Sequence, residues 1–239
     1  MAFERSSGCV GAATEHKKRK QASVLTCVFS GHLAHYRANT PWDAVDPSDR
    51  VIVNPQNRER VTFLRTGFDT GGELLQMESR MEPGGFVGAE HIHPRQESRF
   101  LVLDGRPSFK VNGRAFTLGP GDTLVVPRDV PHKFWNDTEG EIRMIIEFRP
   151  ALRTQEFFEV FFGLSRDGLT DGECARNRLQ RAVLFSAYFN ESRPVGVPAW
   201  RLFARRMLAP LGRLLGYRAW YPRYSGADVE DPLSLEQAV

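Results

Sequence analysis

The chain has 239 residues, 41% hydrophobic and 26% charged, the proportions of a globular protein long enough to bury a sizeable core. Its 32 basic against 29 acidic residues leave a net charge of only +3, which argues against a general nucleic-acid binder. Three cysteines, Cys9, Cys27 and Cys174, are too few for a disulfide framework or a cysteine-rich zinc site, so a reducing cytoplasm is the expected setting. Residues 1–49 show no sustained periodicity and mix Gly, Ser, Ala and Lys, so a disordered N-terminal extension is expected. Within them a basic cluster ending at Lys20 precedes an apolar run from Ala22 to Phe29, the order found in a secretion signal. That run is short, interrupted by polar residues and far from Met1. No stretch approaches the ~20 uninterrupted apolar residues of a membrane span.

From 50 to 150 the pattern changes to short alternating runs broken by glycine, proline and asparagine, as antiparallel strands require. Over 75–81, Leu75, Met77, Ser79 and Met81 share one face, and Gln76, Glu78 and Arg80 share the other. Over 141–149, Ile142, Met144, Ile146 and Phe148 oppose Arg143, Glu147 and Arg149. Turn signals stand at 82–85, 103–107, 111–114, 119–122 and 136–140, a spacing that predicts a sandwich or barrel. Between them His91 and His93 lie one residue apart, so a strand turns both imidazoles to one face, where they could share a metal.

Past Pro150 the periodicity becomes helical. Phe157, Phe158, Phe161 and Phe162 line one side of 153–164, and 176–189 repeats the habit. Two helices are expected to pack on the barrel, with these aromatics serving as core rather than as cofactor contacts. A third segment, 198–224, is amphipathic and basic: seven arginines and no acidic residue lie between Glu191 and Asp228. It suits either an anionic membrane surface or docking on the barrel or a second subunit, with docking favoured and a homodimer compatible. Pro210 and Gly212 predict two short helical pieces rather than one long helix. The helical C-terminal extension is thus placed at 151–225 and a flexible tail at 226–239.

The motifs now carry a family resemblance. Gly85, His91, His93, Glu97 and Gly105 resemble, in their spacing, the first cupin motif. Gly121, Asp122, Pro127, His132 and Asn136 resemble the second, except that Asp129 stands where the family has glycine. The chain is similar to small single-domain bacterial cupins with a helical C-terminal extension. This resemblance implies an all-β core, a double-stranded β-helix or jelly-roll barrel, followed by C-terminal α-helices. It also implies one divalent metal ion held by His91, His93, Glu97 and His132. Fe(II) is favoured, and Mn, Ni, Co or Zn would also suit such donors.

The carboxylate is the open point. Counting forward from His93 selects Glu97, whereas counting back from Gly105 selects Ser98, and only one of them faces inward without a bulge. With Ser98 inward, Phe100 and Val102 follow it and Glu97 pairs with Arg99 outside. With Glu97 inward, Arg99 would enter an apolar barrel. The pattern favours Ser98, yet Glu97 is retained because Pro94 interrupts the strand and a bulge could rotate it inward.

The inward positions Leu75, Met77, Met81, Phe134, Met144, Ile146 and Phe148 are apolar and suit an aromatic or aliphatic molecule. Met77, Ser79, Phe134, Asn136 and Met144 are the candidate substrate contacts. No phosphate-binding loop and no nucleophile–His–acid triad is evident. The expected function is a mononuclear non-haem metal oxygenase of the dioxygenase type, acting on an apolar or aromatic small molecule. A metal-dependent isomerase or cyclase, or a non-catalytic ligand-binding module, are the alternatives.

Overall fold

The computed structural model describes residues 51–225. The expectations for 1–49 and 226–239 lie outside the described residues. Ten strands occupy 51–149: β1 (Val51–Asn54), β2 (Glu59–Arg65), β3 (Leu75–Met81), β4 (His91–Ile92), β5 (Glu97–Asp104), β6 (Ser108–Val111), β7 (Arg114–Thr117), β8 (Thr123–Val126), β9 (His132–Trp135) and β10 (Ile142–Arg149). A short β11 (Arg193–Pro194) returns from the helical region. One sheet has the order β1-β2-β3-β10-β5-β8 and the other β11-β4-β9-β6-β7. This is the expected jelly-roll barrel with C-terminal helices.

Matching alternations set the register. β3 pairs β10 with Leu75 opposite Phe148, Met77 opposite Ile146 and Met81 opposite Ile142, so both apolar faces point inward. A slip of one residue would turn every one of these side chains to the other face. The barrel core holds Val61, Phe63, Phe100, Phe109 and Phe134 with those residues. Asn112 (φ 47°) and Gly113 (φ 79°) make the two-residue turn between β6 and β7, as an Asn-Gly pair between alternating strands favours. Asp129 has φ 60°, a left-handed conformation that glycine adopts without cost, which accounts for the glycine usual at that point of the second motif. Its N–H donates to His93 O at 3.1 Å, so this turn is tied to the histidine strand.

Helix α1 (Thr154–Arg166) lays Phe158, Phe161 and Phe162 on the barrel core, and its Val160 and Leu164 meet Leu184 and Tyr188 behind it. Helix α2 (Arg178–Ala187) starts at Asn177, whose side chain accepts from the N–H groups of Leu179 and Gln180, satisfying two donors that a helix start leaves unpaired. Helix α3 (Ala199–Leu214) runs unbroken through Pro210, which corrects the expectation of two pieces. Its buried positions are Ala209 and Gly212, and a Cβ on Gly212 would come within 2.7 Å of Val183. The small residues let α3 lie close on α2, and this packing outweighs the one backbone hydrogen bond that Pro210 cannot donate. Among the described residues no helix is long and apolar enough to cross a membrane.

Candidate metal centre and its cavity

His91 and His132 are direct cross-strand partners between β4 and β9, and His93 follows on the same face as His91. Their ring centroids form a nearly equilateral triangle of 4.7, 4.9 and 5.0 Å, with one ring nitrogen from each lying within 4.8 Å of the others. Each Nδ1 meets a backbone carbonyl: His91 that of Ala89 at 3.0 Å, His132 that of Val130 at 2.9 Å, and His93 that of Glu191. A carbonyl oxygen only accepts, so each Nδ1 carries the proton. In a neutral ring the lone pair is then on Nε2, the orientation that a carbonyl accepting from Nδ1 imposes on metal-binding histidines.

The rings are neutral. Burial lowers the pKa of all three; repulsion from the neighbouring imidazoles adds to this at His93, which falls well below the usual value, and at His132, which falls to about 3. Two nitrogens on one ion at ~2.1 Å each lie at most ~4.2 Å apart, so a small inward movement of the rings suffices. The group fits one divalent ion of the kind that accepts imidazole.

Glu97 is not brought to this triangle, which corrects its place among the four expected ligands. Its carboxylate pairs with Arg99 at 2.7 Å on the outer face of β5, while Ser98 points inward, 1% exposed, with its Oγ lacking a hydrogen-bond partner. The reason is the strict alternation of β5: Ser98, Phe100 and Val102 are buried together, and no bulge follows Pro94 to rotate Glu97 inward.

The triangle opens into a cavity of about 410 Å³. Met77, Phe134 and Phe148 of the barrel, with Phe157, Phe158 and Phe161 of α1, form much of its wall. Aromatics expected to serve only as core therefore also face the site. Of the other expected substrate contacts, Met144 is fully buried and does not line the cavity. Asn136 is committed to its turn: Nδ2 donates to Met81 O at 3.0 Å and Gly140 O at 2.7 Å, and Oδ1 accepts from the N–H and hydroxyl of Thr138. Ser79 also lies outside the cavity wall, and its hydroxyl donates to Glu59 Oε1 at 2.6 Å. In each case a position facing the core is not the same as one facing the void. A second depression, about 590 Å³ between Phe68, Leu152, Glu156 and Trp220, contains no histidine.

Glu59 belongs to neither histidine motif. It is 4% exposed, lines the histidine cavity, and burial raises its pKa to about 7 against the lowering effect of the Ser79 hydrogen bond. A signal was present: Glu59 shares a strand face with Val61 and Phe63, both core residues, whereas Arg58 and Arg60 beside it suggest an ordinary charged surface.

Residues 77–147 match the family model of the cupin domain. Over 70 residues the chain is 34% identical to Polyketide synthase CurC of Streptomyces cyaneus, covering 29% of this chain and 45% of that protein; it thus spans less than half of that relative's length. Among solved structures, the polyketide cyclase RemF from Streptomyces resistomycificus is 22% identical, with 44% of this chain and 77% of that one covered and a TM-score of 0.39. A predicted oxalate decarboxylase from Thermotoga maritima is 18% identical, with 44% and 97% covered and a TM-score of 0.41. KdgF from Halomonas sp. is 20% identical, with 41% and 84% covered and a TM-score of 0.37.

Proposed function

We propose that this chain, which carries a cupin domain, is a metal-dependent enzyme acting on an aromatic or otherwise apolar small molecule that bears a hydroxyl or carbonyl oxygen. The observation that carries this reading is the convergence of three neutral imidazoles, each tied by Nδ1 to the backbone, in a cavity walled by aromatic rings. His91, His93 and His132 would hold a divalent ion, with Fe(II) the first choice. Such an ion supplies Lewis acidity and, as Fe(II), electrons to dioxygen. The carbonyls of Ala89, Val130 and Glu191 hold the three rings in place. Phe148, Phe157 and Phe158 exclude water and offer faces and edges to a planar ring. With Glu97 outside, the three ligands bring no negative charge, so an enolate or phenolate oxygen complements the site better than a neutral group. A small-molecule oxygenase in a reducing cytoplasm is the reading that follows.

Glu59 favours a second reading, a metal-dependent isomerase or cyclase. Its carboxyl holds a proton near neutral pH inside the same cavity, and Ser79 fixes Oε1, so proton transfer to or from a substrate needs no redox-active metal. A substrate of the polyketide type, suggested by the curated relative's name, is oxygen-rich and would suit either reading.

Anaerobic purification followed by elemental analysis is the first test. Wild-type protein should retain one divalent ion, and Glu97→Ala should retain it as well. The folded triple variant His91→Ala/His93→Ala/His132→Ala should lose it, and equal metal content in wild type and this variant would end the metal-centre reading. A screen of phenols and diketones then separates the reactions. Oxygen uptake confined to the Fe(II) form supports the oxygenase. Turnover with Zn(II) and no oxygen uptake, lost in Glu59→Gln, supports the isomerase or cyclase. Tight binding without turnover under either metal would leave a ligand-binding module.

A further inference from the structure

The structure divides α3 into two unlike faces. Its docked side consists of small residues, Ala209 and Gly212, set against α2. Its outer side carries Trp200, Phe203, Met207, Leu211 and Leu214, with Trp200 and Phe203 65% exposed and Leu214 83% exposed. At 3.6 residues per turn these side chains, together with the exposed Leu208, share one continuous arc of about 140°. Arg201 borders the arc on one side and Arg206 and Arg213 border it on the other. From Ser192 to Ser225 the chain contains seven arginines and no carboxylate side chain.

We propose that this face of α3 is an interfacial helix that seats the protein on an anionic bilayer surface. The arc is wide enough to bury in the acyl boundary, and the arginine rim lies at its edges, where headgroup phosphates would be. Trp200 belongs at that boundary, because its ring is apolar and its N–H requires a polar partner. Charge decides against a second copy of the chain as the occupant. Pairing two such faces would bring the arginine rims together with no carboxylate on either helix to meet them, whereas anionic lipid complements both the rim and the arc. α3 also adjoins the histidine cavity, since Arg205 and the preceding Val195 and Val197 line it. A protein seated this way holds the rim of an apolar cavity close to the phase in which apolar molecules dissolve. The docking itself does not depend on how that cavity is used.

Co-sedimentation of the full-length chain with vesicles tests this. Vesicles of phosphatidylglycerol mixed with phosphatidylcholine should carry the protein down at least tenfold more strongly than phosphatidylcholine alone, and added salt should weaken the effect. Phe203→Glu/Leu214→Glu should bind the anionic vesicles at least tenfold more weakly with an unchanged melting temperature, because neither side chain is buried. Arg201→Gln/Arg213→Gln, which leaves the apolar arc intact, should bind several-fold more weakly and lose part of the salt dependence. The inference is overturned if the wild-type chain ignores anionic vesicles or if both variants bind as it does. It is equally overturned if the wild-type chain is a dimer that vesicles do not capture and that Phe203→Glu/Leu214→Glu turns into a monomer, since a second copy then covers the face.

Discussion

The carboxyl of Glu59 is buried in the wall of a cavity that Met77, Phe100 and Phe134 also line, and burial penalises its charged form. Its pKa is raised from 4.5 to about 7, so between these values the folded protein binds a proton that the unfolded chain does not. Stability from this group is complete below pH 4.5 and is lost as pH rises through about 7. At 1.36 kcal/mol per unit, the loss is on the order of 3 kcal/mol. Glu59→Gln keeps an acceptor for Ser79 and has no charge to bury, so its stability advantage over wild type should grow from pH 5 to pH 8 in urea titrations. Parallel pH profiles would refute a buried proton at this position. Asn136 yields a prediction of another kind. Asn136→Ala leaves the carbonyls of Met81 and Gly140 without their side-chain donor, which should cost about 2–3 kcal/mol of stability and leave metal content unchanged. A loss of ligand affinity at constant stability would instead restore Asn136 as a substrate contact.

At the scale of elements, glycines set how closely the helices approach. A Cβ on Gly163 in α1 would lie 2.2 Å from the ring of Tyr224, which closes the apolar cluster of Val160, Leu164 and Tyr188 and donates a hydrogen bond to Asp167. Gly163→Ala should therefore displace Tyr224 and lower the unfolding free energy by about 1–3 kcal/mol, although alanine has the better helix propensity. A stabilised variant would mean that the ring has free space to move into. The strands and helices were legible in the chain because alternation and helical period are local properties. The continuity of α3 was not, because the contact that carries the helix past Pro210 comes from Val183, far away in sequence.

At the scale of the molecule, barrel and helices make one site: the barrel contributes the three histidines, and α1 closes the cavity with phenylalanines. Phe158 stands at this seam, its ring centroid 6.0 Å from that of Phe148 and 5.6 Å from that of Phe162. Phe158→Ala should cost about 2–4 kcal/mol of stability and weaken binding of a fluorescent naphthol several-fold, while the ion remains with the histidines. Unchanged naphthol affinity would place the aromatic ligand elsewhere.

By itself the sequence determined an antiparallel barrel or sandwich and the helical layer behind it, and the resemblance of its two motifs to the cupin pattern implied the jelly roll and the grouping of His91, His93 and His132. Period and turn chemistry are local, and the two histidine motifs sit at a spacing that the barrel converts into proximity. It also pointed Ser98 inward, through the alternation with Phe100 and Val102. Only the tertiary structure decided that Glu97 stays outside with Arg99, that Asn136 serves its turn, and that Glu59 lies in the cavity wall. The physical reason is that burial belongs to the assembled sheets and helices: a charged residue between two arginines looks the same in the sequence whether its strand face meets water or Phe134.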